Sequence, residues 1–565
     1  MKQYLFLLLF PFLLHAQNEN SEDDNLLKVS GFMSFNFDTY HYSTTNYDAF
    51  RPRYQDLLMR LSGNINFRVG KYLSIPIGIN VSNQTVSYNL PTLPEESFID
   101  YVRNPRNNIY INPKYKWIKT HFGSHTPKYS DLTVGDIQIF GFGFDINPGK
   151  FILSANYGTS QFAIEPDSIT NNQGAYQQSI IAGRVGIGNS DGPKLTFNFV
   201  KIKDNIFSVN SRPIGIDPIE GIALSPLLEL HIAKKIYLKT ETSASLYTRN
   251  QLGESLPFDL DVPDIATDIN VINLSSNLDI AHTSSLDWKG ESFSLGGEVK
   301  YIGPGFMPIG YRFMEKDIFD YKINSSVKLF NKKCIINGTY GIRTNNLQNT
   351  NVVSTKRFIG NINVAFALIK SLSLNVNYNN FGLNNNQNNQ LIRVQMVNSA
   401  LSISPTYQIM SKTKTHMISS NISINKFEQF DIITDDFVNT ESQVLNMNYI
   451  MIFKNIPLNL LASILSMENK SDVSDINMMQ YSLTSSYKML DKKLEPSLSL
   501  IIASLKIDEH TPDLKFSSQL KIKYKINDKL HCNMSYLFKN YNYGSSKEDA
   551  VLNENRLQFA ISQKF

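Results

Sequence analysis

Cysteine, tryptophan and charge are all scarce in this sequence. Its 565 residues include only 2 Cys and 2 Trp, and charged residues make up 18%, below the roughly 25% of soluble domains. Two cysteines cannot form a disulfide framework. Lysine and arginine (54) nearly balance aspartate and glutamate (50), so the charge gives no reason to expect a nucleic acid as a partner.

Long apolar runs are also missing, apart from one at the N-terminus. No later stretch approaches the about 20 apolar residues that a transmembrane helix needs, and the mean hydropathy is -0.22. A bundle of membrane helices is therefore excluded. The sequence is nevertheless rich in aromatic residues, with 35 Phe and 28 Tyr. A long, aromatic, weakly charged chain of this kind is unusual for a set of soluble domains.

The N-terminus has the pattern of a secretory signal peptide. One basic residue is followed by an apolar run, Tyr4 to Leu14, and then by Ala16. We predict Sec-type export with cleavage between Ala16 and Gln17, so that residues 1–16 are the signal peptide and residues 17–28 a short periplasmic leader. The alternative interpretation is a buried N-terminal helix. No cysteine follows the run, so no lipoprotein anchor is expected.

Apolar and polar residues alternate along most of the remaining chain. Phe140, Phe142 and Phe144 are separated by two glycines, and from Leu514 to Ile526 apolar residues alternate with lysine, serine and glutamine. Successive side chains of a strand point to opposite faces. Each such segment therefore predicts a strand with one apolar and one polar face, and helical spacing fits none of them.

The connections between these strands alternate in length. Gly70-Lys71 and Ile369-Lys370 are short turns, whereas 344–355 and 543–554 are longer polar loops. Short periplasmic turns and long external loops are typical of an outer-membrane barrel. We predict an all-β chain in which residues 29–565 form a single antiparallel transmembrane β-barrel of about 22–26 strands, in the cell outer membrane.

An even number of strands is expected, because both termini of such a barrel face the periplasm. The strand pattern is weakest in residues 107–126 and 248–287. The last strand alternates clearly and ends on Phe565. A terminal strand that ends in an aromatic residue resembles the C-terminal signal that the barrel-assembly machinery recognises in bacterial outer-membrane proteins. That machinery and the outer-membrane lipid are the partners that this resemblance implies.

A barrel of this size has a lumen too wide to be filled by strand side chains alone. The short leader leaves no room for a large plug domain, so water, inward-folded loops or a partner chain must occupy the space. Gly141 and Gly143 lie on the polar face of their strand, and glycine weakens a strand unless something approaches closely. Two interpretations stay open: lumen packing by a loop or partner, or a bend that helps to close the barrel.

No catalytic motif occurs in the sequence, and we predict no enzyme activity, no cofactor and no metal site. His121, His125, Asp131 and Asp136 share one segment, but two histidines and two aspartates without further support favour a structural role over metal binding. Cys334 and Cys532 lie far apart in strand order, so they are predicted to stay unpaired.

The longest loop, 248–274, is acidic. Carboxylates on a loop can bind calcium, but their spacing matches no calcium-binding loop, and we interpret the segment as a solvated acidic loop. The carboxylates in question are Glu254, Asp259, Asp261, Asp264 and Asp268.

Three phrases of the sequence resemble a family of large, mostly uncharacterised outer-membrane barrel proteins from Bacteroidota. They are the stretch Phe140 to Phe151 with Tyr157-Gly158 after it, the stretch Tyr301 to Phe306 with Gly310 following, and Pro218 to Gly221 before a strand. The resemblance implies a barrel in the outer membrane of a Gram-negative cell. It implies no activity that could be assigned to particular residues.

The leading hypothesis is a wide, porin-like channel without catalysis, either passive or gated by a partner. The first alternative is a structural component of a secretion or barrel-assembly complex, with a lipoprotein or another component of the complex as partner. The second alternative is a hydrolase in the barrel wall, for which no serine or histidine stands out.

Overall fold

A computed structural model provides the structure of this protein. It describes residues 27–47, 50–83, 107–168, 172–189, 192–233, 235–256, 264–311, 314–349, 354–384, 395–431, 436–544, 547 and 549–565. The predicted cleavage site at Ala16 and Gln17 lies outside the described residues.

The described chain is almost entirely β-strand. The first strands are β1 Leu27–Thr45, β2 Leu57–Val69, β3 Leu73–Ser82, β4 Asn108–Ile111, β5 Lys114–Tyr115, β6 Ile118–His125, β7 Ile139–Ile146, β8 Phe151–Gln161, β9 Gln177–Gly188, β10 Lys194–Asn205, β11 Glu220–Ile232, β12 Ile236–Thr248, β13 Ser276–Lys289 and β14 Phe293–Ile302. The rest are β15 Ile318–Leu329, β16 Cys334–Asn345, β17 Lys356–Ile369, β18 Leu372–Asn384, β19 Gln395–Met410, β20 Lys414–Asp431, β21 Asp436–Phe453, β22 Leu458–Ser471, β23 Ile476–Tyr487, β24 Leu494–Ile507, β25 Asp513–Lys525, β26 Leu530–Asn542 and β27 Val551–Lys564.

These strands form one closed antiparallel β-barrel. Apart from β4 and β5, each strand pairs with its neighbours in sequence, and β27 pairs with β1 from Phe32↔Lys564 to Thr45↔Val551. The short strands β4 and β5 share one position, because β3 and β6 both pair with each of them. The 27 strands therefore occupy 26 positions around the barrel. The predicted fold and its even strand number are confirmed.

The outer face of the barrel is apolar, as lipid contact requires. In β10, Phe197 and Phe199 are exposed on the outside, whereas Thr196 and Asn198 are buried on the inside. The same alternation recurs around the sheet because paired residues of adjacent strands share a face. Closure of the sheet by the pairing of β27 with β1 leaves no edge strand among the described strands.

The connections follow the predicted alternation over most of the barrel. We call the end of the barrel with short connections the turn end and the other the loop end. The loop-end connections 472–475 and 508–512 are, however, about as short as the turn-end connection 454–457.

Both β1 and β27 meet the turn end, where the Phe565 amide donates to the Gly31 carbonyl at 3.0 Å. Leu27 and Lys28, placed in the leader by the sequence, are the first residues of β1. Within the described residues, the one helix is α1, Asp264–Ile269, and no helix is long and apolar enough to cross a membrane.

Candidate functional site: the barrel lumen

Two loops from the loop end fold into the lumen. The 126–138 loop joins β6 to β7, and the 303–317 loop joins β14 to β15. Leu132 and Phe306 are fully buried against each other's loop and the inner wall, in a cluster with Ala281, Ile302 and Ile318. Part of the lumen is therefore filled by the chain itself, which is one of the three predicted possibilities.

The two loops also bind each other through their backbones. Val134 and Gly310 form a parallel bridge, and the Gly135 amide donates to the Gly310 carbonyl at 3.3 Å. A Cβ on Gly310 would collide with the Thr133 backbone, so this contact requires glycine. The Tyr311 hydroxyl donates to the Ser130 carbonyl at 2.5 Å. The loops consequently form one layer over the wall.

The tip of the 126–138 loop reaches far along the wall. Asp131 forms an ion pair with Lys239, the fourth residue of β12 from the turn end. The Asp131 amide donates to Glu241 Oε2 at 3.1 Å, and the Ser225 hydroxyl donates to Glu241 Oε1 at 2.6 Å. Glu241 is 1% exposed, and these bonds satisfy a carboxylate that would be costly to bury alone. The loop is thus held by charge-assisted bonds as well as packing.

The wall beneath the loops is apolar on its inner side too. Val200 and Ile202 of β10 pack with Ile180 of β9, Ala223 of β11 and the loop residue Val134. Inward positions of large barrels are normally polar. These apolar positions are accounted for by the loop layer that covers them, and together they define what we call the covered sector of the lumen, from β7 to β14.

The predicted lumen packing near Gly143 has a specific form. Gly143 faces inward opposite Asn156 of β8, and a Cβ there would meet the Asn156 carboxamide. Asn156 donates to the hydroxyl of Tyr129 in the 126–138 loop and bonds His125 Nε2 at 2.8 Å. Glycine therefore leaves room for the side chain that connects the loop to the wall.

Gly141 also faces the lumen, but different atoms lie next to its Cα. A Cβ at Gly141 would collide with the Tyr157 carbonyl and with Gly158 of β8. The crowding is with the backbone of the adjacent strand, so Gly141 serves the close approach of two strands rather than loop packing. Loop packing therefore describes Gly143, whereas Gly141 accommodates the adjacent strand, and a bend that helps to close the barrel stays a prediction.

The four residues considered for metal binding are split between different partners. His121 Nε2 bonds Asp145 Oδ2 at 2.9 Å and its ring stacks on His125 at 5.2 Å between centroids. Asp131 pairs with Lys239 instead, and Asp136 is exposed in the loop. Among the described residues, no group of three or more His, Cys, Asp or Glu side chains is placed to hold a metal ion.

Burial raises the pKa of two phenols in the inward loops. For Tyr129 the largest cause is desolvation, followed by the Asp145 charge; for Tyr311 it is desolvation, followed by the Asp131 charge. Both hydroxyls therefore stay protonated at neutral pH.

The remaining predictions concern residues outside the lumen. Glu254 and Asp268 of the acidic loop are exposed, Asp264 begins α1, and Asp259 and Asp261 lie outside the described residues. Cys334 is buried, Cys532 is partly buried, and both are free thiols, as predicted.

A hydrogen-bonded serine–histidine pair does occur, but on the outer face. The Ser284 hydroxyl bonds His282 Nε2 at 2.8 Å, and His282 Nδ1 bonds the Thr242 hydroxyl at 2.9 Å. Trp288 lies on the same face of β13, four residues closer to the turn end than Ser284. At 3.3 Å per residue this is about 13 Å along the strand. Ile280 and Leu286 of the same strand face flank the pair, and its hydroxyl and imidazole groups satisfy each other.

A second part of the lumen is not covered by these loops. Five adjacent strands, from β25 through β27 and β1 to β2, line a cavity of about 880 Å³. Lys523, Asn533, Ala560, Asn36 and Arg60 form one row of paired residues across these strands. We call this part of the lumen the open sector.

Comparison with known proteins adds little to this picture. No family model matches the sequence, and no curated protein is significantly similar to it. Among solved structures, the translocation pore of the P pilus usher PapC has a TM-score of 0.36 at 9% identity and covers 96% of this chain and 99% of its own. OccAB4 of Acinetobacter baumannii has a TM-score of 0.30 at 12% identity, and the match covers 66% of this chain and 97% of its own. OccK10 (OpdN) of Pseudomonas aeruginosa has a TM-score of 0.30 at 9% identity, and the match covers 62% of this chain and 94% of its own. We draw no functional argument from likeness at this level.

Proposed function

We propose that this protein is an outer-membrane channel for hydrophilic solutes, with a lumen narrowed by its own loops. The observation that carries the proposal is the unequal filling of the barrel. A 26-position barrel is too wide for its side chains to fill, and the two inward loops pack over the covered sector only. The open sector keeps a cavity of about 880 Å³ lined by polar and charged side chains.

The same features support a location of the barrel in the outer membrane. The apolar outer face needs lipid, and a closed barrel is the only way for strands to span a bilayer. The predicted signal peptide would deliver the chain across the inner membrane. By this proposal the turn end faces the periplasm and the two inward loops enter from outside the cell.

Planar-bilayer recording tests the channel directly. Purified protein added to a bilayer in KCl is expected to produce discrete conductance steps, because the open sector provides an aqueous path. A folded barrel that inserts without conducting would overturn the proposal. If such a silent barrel also purifies from solubilised membranes with a stoichiometric partner, the secretion or assembly scaffold becomes the better function.

A further inference from the structure

We propose that the channel selects hydrophilic anions, meaning solutes that carry carboxylate or phosphate groups, and that the open sector attracts them. This inference rests on the proposed channel function and names the class of solute. It is carried by an excess of unpaired positive charge in the open sector.

The lining of the open-sector cavity is strongly cationic. Among the described residues, its charged side chains are Arg53, Arg60, Lys521, Lys523 and Arg556, against the single carboxylate of Asp38. Paired residues of adjacent strands share a face, so the row through Lys523 and Arg60 projects into one space. The neighbouring row runs Lys521, Ser535, Gln558, Asp38 and Leu58.

The one carboxylate of the lining is already neutralised. Arg556 Nε donates to both Asp38 oxygens, at 2.9 and 3.1 Å, and Gln558 donates to Oδ2 at 3.0 Å. The Arg556 guanidinium also lies 3.9 Å from the centre of the Tyr54 ring, which fixes its plane. Asp38 therefore has little capacity left to compensate other cations.

Two acidic groups near the cavity lie within 4.0 Å of lining cations, although Glu554 Oε2 accepts no hydrogen bond from the described residues. Glu554 accepts from the Tyr40 hydroxyl at 2.6 Å and lies 3.9 Å from Arg53, while Glu495 is 4.0 Å from Lys523. Among the described residues, no carboxylate lies within ion-pairing distance of Arg60 or Lys521. Both side chains are exposed in the lumen, so their charge is available to a solute.

Positive charge continues from this cavity to the turn end. A second cavity of about 390 Å³ is lined by Lys492, Lys493, Lys523, Lys525 and Lys564, with His531 and one carboxylate, Glu495. Lys523 lines both cavities, so the two are neighbours along the wall. An anion that enters the open sector thus meets cations from mid-height to the end of the barrel.

Other strands of the inner wall differ from this lining. The inward positions of β22 and β23 are uncharged and include Ser463 and Ser482, whose hydroxyls bond at 2.5 Å. In the covered sector Lys194 is paired with Glu229, and on the neighbouring strands β15 and β16 Asp320 is paired with Arg343. Unpaired cations thus set the open sector apart from β22 and β23, and low-dielectric walls focus their potential on passing ions.

The test is the reversal potential in a KCl gradient, measured on the full chain in planar bilayers. Wild-type channels are expected to prefer chloride over potassium, with a preference that weakens as ionic strength rises. Substituting Arg60→Gln, Lys521→Gln and Lys523→Gln together should lower the chloride-to-potassium permeability ratio about threefold. A matched control is Lys426→Gln with Lys470→Gln, which removes lysines on the outer face and should leave the ratio unchanged.

The outcomes separate the two proposals. Conduction with a preference for potassium, or a ratio that the triple variant does not lower, overturns the anion selection and leaves the channel standing. A silent folded barrel overturns both. Adding inorganic phosphate or citrate should reduce the chloride current of the wild type more than that of the triple variant, and the stronger blocker identifies whether phosphate or carboxylate is preferred. An equal effect on both proteins would contradict binding in the open sector.

Discussion

Arg556 of the last strand holds Asp38 of the first strand through three hydrogen bonds: from Nε to Oδ1 at 2.9 Å, from Nε to Oδ2 at 3.1 Å and from Nη2 to Oδ2 at 2.5 Å. The pair crosses the seam where the barrel closes, and it also removes from the charge balance the only carboxylate that lines the open-sector cavity among the described residues. One contact thus contributes to closure of the sheet and to the electrostatics of the lumen.

Asp38→Ala separates these two contributions. The seam loses bonds to a charged, mostly buried group, so we expect the folded barrel to lose about 1–3 kcal/mol, measured as a lower temperature of the heat-dependent gel shift. Arg556 becomes an unpaired cation, so the chloride-to-potassium permeability ratio should rise. Glu291→Ala removes an exposed carboxylate in the turn between β13 and β14, away from the open sector, and should change neither quantity. A falling permeability ratio in Asp38→Ala would contradict the charge argument.

Gly143→Ala tests the contact between loop and wall. The added methyl occupies the place of the Asn156 carboxamide, which bonds both Tyr129 and His125, and overpacking of this kind costs about 1–3 kcal/mol. Gly297→Ala is the control, because it also lies within a strand but a Cβ there meets nothing within 4 Å. We expect the gel-shift temperature to fall for the first variant only. Equal temperatures would show that Asn156 moves aside without loss.

Leu132→Asp tests whether the inward loops narrow the channel. Leu132 is 0% exposed, and a carboxylate in that cluster costs more than the docking of a loop is expected to supply. The loops should detach while the sheet stays closed, so single-channel conductance should increase. Val473→Asp, at a loop residue that is 84% exposed, is the control. Unchanged conductance in a folded Leu132→Asp barrel would mean that the loops do not restrict the path.

Phe565→Ala tests the expected assembly signal. The backbone bond from Phe565 to Gly31 does not need the aromatic ring, so the folded barrel should keep its gel-shift temperature. If the ring is recognised during assembly, the amount of folded protein in the outer membrane should fall several-fold. A loss of stability with normal amounts would instead assign the ring to packing.

The sequence was sufficient for the barrel but not for the lumen. Alternation such as that of Phe140, Phe142 and Phe144 reports which face meets lipid, and turn lengths report topology. The position of the inward loops depends on contacts between segments far apart in sequence, such as Asp131 with Lys239. One signal of the covered inner wall was present in the sequence, because residues 180–182 and 199–200 are apolar on both faces of their strands.

The open sector was missed for a different reason. Its cations come from β25, β27 and β2 and from the loop after β1, and only closure of the sheet brings these segments together. The row from Lys523 to Arg60 spans five strands. The overall charge of the chain is nearly balanced, so composition conceals a local excess that the register reveals.

The central claim is that one sector of the lumen is covered and another is open. Ser243 and Ser535 both face inward; Ser243 is 0% exposed beneath the loops, and Ser535 lines the open-sector cavity. Each is replaced by cysteine in a chain that also carries Cys334→Ser and Cys532→Ser, and the modification rate by a negatively charged, membrane-impermeant methanethiosulfonate is measured during bilayer recording. We predict fast modification and a reduced current for Ser535→Cys, and no modification for Ser243→Cys. Equal rates at the two positions would contradict the division of the lumen.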